Sequence, residues 1–183
     1  MFSIWSSFIQ SQTAILLSIV CIAVLSGCTG HPGLLNIPFD PGGQSLNSLA
    51  ADVTPEITGE YVVFVSERQQ RQNVYLYDFN HRRLVDLPGL NALDSIAADP
   101  DVSADGGYIV FSASRQGQKG IYLYNRDTRQ LRNLTVNLPA EVRNPTISAD
   151  GSTIAFESSA NGQWDILVYD LSGQPLDVAI DPQ

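Results

Sequence analysis

From residue 51 onward, apolar residues come in short runs, each closed by polar or turn-forming residues. Tyr61-Val62-Val63-Phe64-Val65 is followed by a polar stretch and then by Val74-Tyr75-Leu76-Tyr77. The same alternation returns at Ile109-Val110-Phe111 with Ile121-Tyr122-Leu123-Tyr124, and at Ile154-Ala155-Phe156 with Ile166-Leu167-Val168-Tyr169. Runs of this length, rich in β-branched and aromatic residues, predict β-strands rather than helices. A strand with one wet face alternates apolar and polar side chains. Four successive apolar residues do not alternate: Ile121 and Leu123 point one way, Tyr122 and Tyr124 the other. Both faces of each sheet therefore need cover.

The runs belong to an internal repeat. Pro55, Pro100 and Pro145 are spaced 45 and 45 residues apart, and each opens a similar segment. Phe64 to Val74, Phe111 to Ile121 and Phe156 to Ile166 are each ten residues, and Tyr77 to Leu84, Tyr124 to Leu131 and Tyr169 to Leu176 are each seven. Each unit reads as four short strands. The first holds Ile57, Val102 or Ile147, and the fourth is centred on Leu84, Leu131 or Leu176. Between the first two strands stand Asp105-Gly106 and Asp150-Gly151, hairpin signals because glycine accepts positive φ; the first repeat is two residues shorter there. Four strands per 40–45 residues, wet on neither face, is the pattern of propeller blades. The predicted fold is all-β and propeller-type, with about three four-stranded antiparallel blades at 51–95, 96–140 and 141–183.

Pro145-Thr146-Ile147-Ser148-Ala149-Asp150-Gly151 followed by Ile154-Ala155-Phe156-Glu157-Ser158 resembles the TolB-type propeller repeat. The resemblance runs from about Asp52 to the C-terminus. It implies blades of the kind found in TolB of the bacterial Tol–Pal envelope system, and in propellers attached to prolyl-oligopeptidase-like hydrolases. The TolB architecture itself sets an α/β domain ahead of six blades, whereas this chain holds about three.

Closed propellers have about 4–8 blades, so three leave two end faces bare. Leaving four or five apolar side chains wet would forfeit on the order of 10 kcal/mol, at roughly 1.5–3 each. Large exposed apolar patches mark interaction surfaces. The expectation is that a second copy closes a six-bladed ring or that another envelope protein covers the ends. A compact arc capped by residues 34–50 is the alternative.

The N-terminal third is of another kind. Ala14 to Leu25 is a charge-free apolar run of twelve residues, short of the roughly twenty that span a bilayer and suited to the core of an export signal. It ends in Leu25-Ser26-Gly27-Cys28, which resembles the bacterial lipobox. The resemblance implies cleavage before Cys28, acylation of its thiol, and a cell-envelope location with the domain in the periplasm or outside the cell. No Lys or Arg precedes the run; a retained anchor from about Ile4 to Leu25, or simple secretion, remain the other readings. If the cell is Gram-negative, Thr29 after the lipid-bearing cysteine points to the outer membrane's periplasmic face. Residues 1–27 are thus read as a signal peptide and 28–50, rich in Gly, Pro and Ser, as a tether. With Cys21 removed and Cys28 acylated, the folded part carries no thiol, so packing alone must hold it.

Chemistry is sparse. A formal charge of -9 argues against a nucleic-acid partner. There is no Gly-x-Ser-x-Gly elbow, and the histidines are His31 in the tether and His81 in a loop. Asp99, Asp101 and Asp105 suggest calcium superficially, but the third carboxylate falls two residues late for an EF-hand loop. No catalytic residue, metal or cofactor is assigned. Cationic side chains divide between two sets of loops, Arg68, Arg71, Arg115 and Lys119 in one and Arg82, Arg83, Arg126 and Arg129 in the other. A non-catalytic protein-interaction module is the leading expectation. The alternative is a glycan- or peptide-binding propeller serving an envelope hydrolase, its site built from first-strand residues Glu56, Asp101 and Thr146.

Overall fold

In a computed structural model, Asp40 and residues 42–177 are described. The signal peptide, the lipobox residues Leu25, Ser26 and Gly27, and Cys28 lie outside them. The described chain is all-β. Blade 1 is β1 (Asp52–Thr58), β2 (Tyr61–Ser66), β3 (Asn73–Asp78) and β4 (Arg83–Val85), hydrogen-bonded in that order and antiparallel throughout. Blade 2 repeats the plan with β5 (Ser95–Val102), β6 (Tyr108–Arg115), β7 (Gln118–Asn125) and β8 (Gln130–Asn133). Blade 3 has β9 (Val142–Ile147), β10 (Thr153–Ser158) and β11 (Asp165–Asp170).

The fourth strand expected around Leu176 is reduced, among the described residues, to a single bridge between Tyr169 and Pro175. The Leu176 N–H donates to the Val168 carbonyl at 2.7 Å, and the Asp170 N–H to the Gln174 carbonyl at 2.9 Å. Position 175 is one whose N–H would face away from β11, so both flanking bonds form; the difference is in register, since Tyr169 pairs with Pro175 where Tyr77 and Tyr124 pair with Leu84 and Leu131.

The turns follow from their residues. β1 and β2 are joined by Gly59-Glu60, with Gly59 at φ 57°. In blade 2 the Asp105 carboxylate accepts the Ser103 hydroxyl at 2.6 Å and the Gly107 N–H at 2.8 Å, while Gly106 takes φ 67°. Asp150 and Gly151 repeat this arrangement with Ser148 and Ser152. These bonds hold the Asp105 and Asp150 carboxyls below the ordinary carboxylate range, the serine hydroxyls contributing most.

Two apolar layers hold the blades together. Val63, Val74 and Leu76 of blade 1 pack against Ile109, Phe111, Tyr122 and Tyr124 of blade 2. Val110, Ile121 and Leu123, on the other face of blade 2, pack against Ile154, Phe156 and Tyr169 of blade 3. The unbroken apolar run of β7 is thereby explained: its two faces sit in two different cores. Tyr124 is fully buried, and its hydroxyl donates to the Pro88 carbonyl at 2.8 Å. Burial pushes that phenol above its ordinary pKa.

Candidate functional site

The first strands of the three blades converge on a shared pocket. Each strand carries a bulge, and at each bulge the residue before the proline turns to positive φ: Thr54 at 48°, Asp99 at 46° and Asn144 at 48°. Left-handed backbone is costly for residues other than glycine, and most of all for a β-branched threonine. The residue before a proline is normally extended. The same departure in all three blades is therefore a built feature. It turns first-strand side chains into a cavity of about 400 Å³ lined by Thr54 and Glu56 of blade 1, Asp99, Pro100 and Asp101 of blade 2, and Asn144, Pro145 and Thr146 of blade 3.

The first-strand trio Glu56, Asp101 and Thr146 thus does meet. Asp101 bridges two blades. One carboxylate oxygen accepts the Thr146 hydroxyl at 2.6 Å and the Ile147 N–H at 2.8 Å, and the other accepts its own strand's Val102 N–H at 2.8 Å. Asp99 accepts the Ser112 hydroxyl at 3.1 Å, and Asn144 donates to Glu157 at 2.9 Å. Glu56 is exposed at the pocket. The αL residues before the prolines were not visible in the sequence as site residues. Their signal was the 45-residue proline spacing itself.

Asp99, Asp101 and Asp105 do not gather as a calcium set. Asp105 serves its turn and Asp101 its neighbouring blade, and no group of three or more His, Cys, Asp or Glu among the described residues is placed to hold a metal. His81 donates its backbone N–H to Asp78 at 3.0 Å and sets its Nδ1 2.8 Å from the same carboxylate. Those bonds, the backbone one first, hold the Asp78 carboxyl below its ordinary range. A second, larger cleft of about 710 Å³ lies on the rim beside Arg115, Lys119, Asn133 and Asn137.

The joints between blades share a device. The ring of Tyr61 seats on Gly106 of the next blade, where a Cβ would lie 2.7 Å from it, and the Arg126 guanidinium covers the ring at 5.3 Å. Tyr108 seats likewise on Gly151, at 3.0 Å from a Cβ there. Turns of adjacent blades also bond directly, the Ala104 N–H donating to the Ala149 carbonyl at 2.8 Å. Blade 3 holds Thr153 where the others hold Tyr61 and Tyr108, and Thr146 where blade 2 holds the bridging Asp101. Blade 1 in turn lacks the Asp-Gly turn on which a preceding tyrosine would sit.

Compared with known proteins, the chain matches no family model and no curated protein. Solved structures do match. TolB from Acinetobacter baumannii aligns with a TM-score of 0.56 at 25% identity, over 74% of this chain and 34% of that one. A TolB homologue from Agrobacterium tumefaciens aligns with a TM-score of 0.52 at 21% identity, over 67% and 43%. The β-propeller domain of the Trilobed protease from Pyrococcus furiosus, described as having an open velcro topology, aligns with a TM-score of 0.52 at 17% identity, over 70% and 41%. The described blades therefore have the TolB-like propeller fold, and the chain spans well under half the length of each of these proteins.

Proposed function

We propose that this chain is a non-catalytic cell-envelope lipoprotein, anchored through Cys28, whose three-bladed module docks another envelope protein at the pocket between its first strands. The observation that carries this reading is the bulge repeated at Thr54, Asp99 and Asn144, strained backbone spent on one shared cavity. The mechanism is presentation on a rigid scaffold, with Asp101 fixing the blade 2 to blade 3 joint and Glu56 free to meet the partner. A partner other than a second copy is favoured by the two ends of the arc. With Thr153 at one end and no Asp-Gly turn at the other, the ends do not supply the tyrosine-on-glycine joint that blades 1, 2 and 3 use among themselves.

Crosslinking in cells, followed by capture of the chain, tests this. Glu56→Lys should lose the crosslinked envelope protein, while Glu60→Lys, in the β1–β2 turn, should keep it. Equal crosslinking by both variants would contradict the assignment of the pocket. The peptide- or glycan-binding reading is favoured by one observation, a volume of about 400 Å³, which lies in the range of small-ligand sites. Glycan or peptide binding that disappears in Glu56→Lys would support it over the protein-docking reading.

A further inference from the structure

The residues just ahead of blade 1 are stitched to it. Asp40 closes a compact loop: its N–H donates to the Asn47 carbonyl at 3.0 Å, and its carboxylate accepts the N–H groups of Gly42, Gln44 and Ser45. Arg68, from the β2–β3 loop, fastens this loop to the blade. Its guanidinium donates to the Gly43 carbonyl at 2.9 Å, the Leu46 carbonyl at 3.3 Å and the Asp52 carboxylate at 3.1 Å. Asp52 also accepts the Ser48 N–H at 3.1 Å and the Ser48 hydroxyl at 3.0 Å. The Arg68 side chain is 7% exposed, so this is an interior fastening.

We infer that the β2–β3-loop end of blade 1 is the membrane-facing end of the domain. This rests on Cys28 carrying the lipid. From Cys28 to Asp40 is twelve residues, which fully extended reach about 40 Å. A lead running unfastened to Ala50 would reach about 75 Å. The lead thus holds the fastened end within about 40 Å of the bilayer, while the opposite end of the blades can stand about 60 Å away. The Asp-Gly turns lie at the other end of the blades, about 20 Å away along a six-residue strand. That end, with Asp105–Gly107 and Asp150–Ser152, faces away from the lipid and is the end a partner meets first.

The full-length acylated chain, reconstituted in phosphatidylethanolamine–phosphatidylglycerol vesicles, tests the assignment. Cys21 leaves with the signal peptide and Cys28 is acylated, so Leu49→Cys or Asp127→Cys supplies the one free thiol for a donor fluorophore. Both positions are exposed, the first at the fastened loop and the second in the β7–β8 turn at the far end. Energy transfer to a headgroup-labelled lipid should be greater from position 49 than from 127, and Arg68→Ala should shrink the difference while the β-sheet circular dichroism persists. Equal or reversed transfer in a chain that floats with the vesicles overturns the orientation alone. A chain that does not float overturns the anchor, and the orientation with it.

Discussion

At one end of the arc, blade 1 turns Phe64 and Tyr75 outward, stacked at 5.8 Å beneath the Arg68 guanidinium, which lies 5.1 Å from one ring and 5.2 Å from the other. At the other end, blade 3 turns out Ala155, Val168 and Ile166, with Glu157 paired to Arg143 at 2.6 Å and Arg143 stacked 3.9 Å over Trp164. Phe64 is 2% exposed and Ile166 is 66% exposed. The two ends expose opposite faces of a blade: Phe64 and Tyr75 match Phe111 and Tyr122, which in blade 2 face blade 1, whereas Ala155, Glu157, Ile166 and Val168 match Val110, Ser112, Ile121 and Leu123, on the face of blade 2 that meets blade 3. Blade 3 has Ala155 where its neighbours have Val63 and Val110, and Glu157 where they have Val65 and Ser112. In stacked-repeat proteins, polar outer faces on terminal repeats keep the array soluble. Blade 3 solves the exposed-face problem by chemistry, and blade 1 solves it by keeping its aromatics under cover.

The comparison is broken most directly by truncation at each end. Phe64→Ala should cost about 3–5 kcal/mol in urea unfolding, and Ile166→Ala, on an exposed face, about 0.5 kcal/mol or less. Similar losses at both would erase the distinction between the ends. Next in size, Arg68→Ala should cost about 2–4 kcal/mol, because it leaves the Asp52 carboxylate without its cation and two carbonyls without a donor. Limited proteolysis should then cut within residues 40–50 before the blades.

Acid should act on the same fastening. Burial raises the Asp52 carboxyl, but hydrogen bonds from Ser66 and Ser48 and the Arg68 charge outweigh it and hold it below its ordinary value. A carboxyl lowered in the folded state stabilises above its unfolded pKa, and that contribution is lost as pH falls through the folded value. Thermal stability should thus hold from neutral pH to about 5 and fall below about 4. The Asp52→Asn variant should start lower and fall less steeply. The smallest effect is expected at blade 3: Glu157→Gln breaks a surface pair and should shift stability by about 1 kcal/mol or less. Fluorescence of Trp164, the one tryptophan after residue 5, should report the loosened Arg143 stack.

Much of this fold could be read from the chain because periodicity survives in side chains that must be buried. Phe64, Phe111 and Phe156 mark the second strands, and the apolar run of β7 demanded the two cores that enclose it. The slipped register after β11 was hidden because Leu176 keeps the spacing of Leu84 and Leu131, while Tyr169 pairs with Pro175 instead. The pocket was half legible. Glu56, Asp101 and Thr146 share a repeat position, but the left-handed backbone at Thr54, Asp99 and Asn144 runs against the local preference before proline and is imposed by the bulges. The fastening of residues 40–50 was invisible because it depends on Arg68, sixteen residues beyond Asp52 and indistinguishable in sequence from the other loop cations.

The central claim is that the two ends of the arc lack the tyrosine-on-glycine joint that the blades share, with Thr153 at one end and no Asp-Gly turn at the other, so that copies of this chain do not complete one another. Sedimentation equilibrium on the chain from Thr29 onward measures this without the lipid. A single species of monomer mass across the micromolar range is the predicted result. A stable species of twice that mass would mean that the end faces do fit together, and would contradict the account.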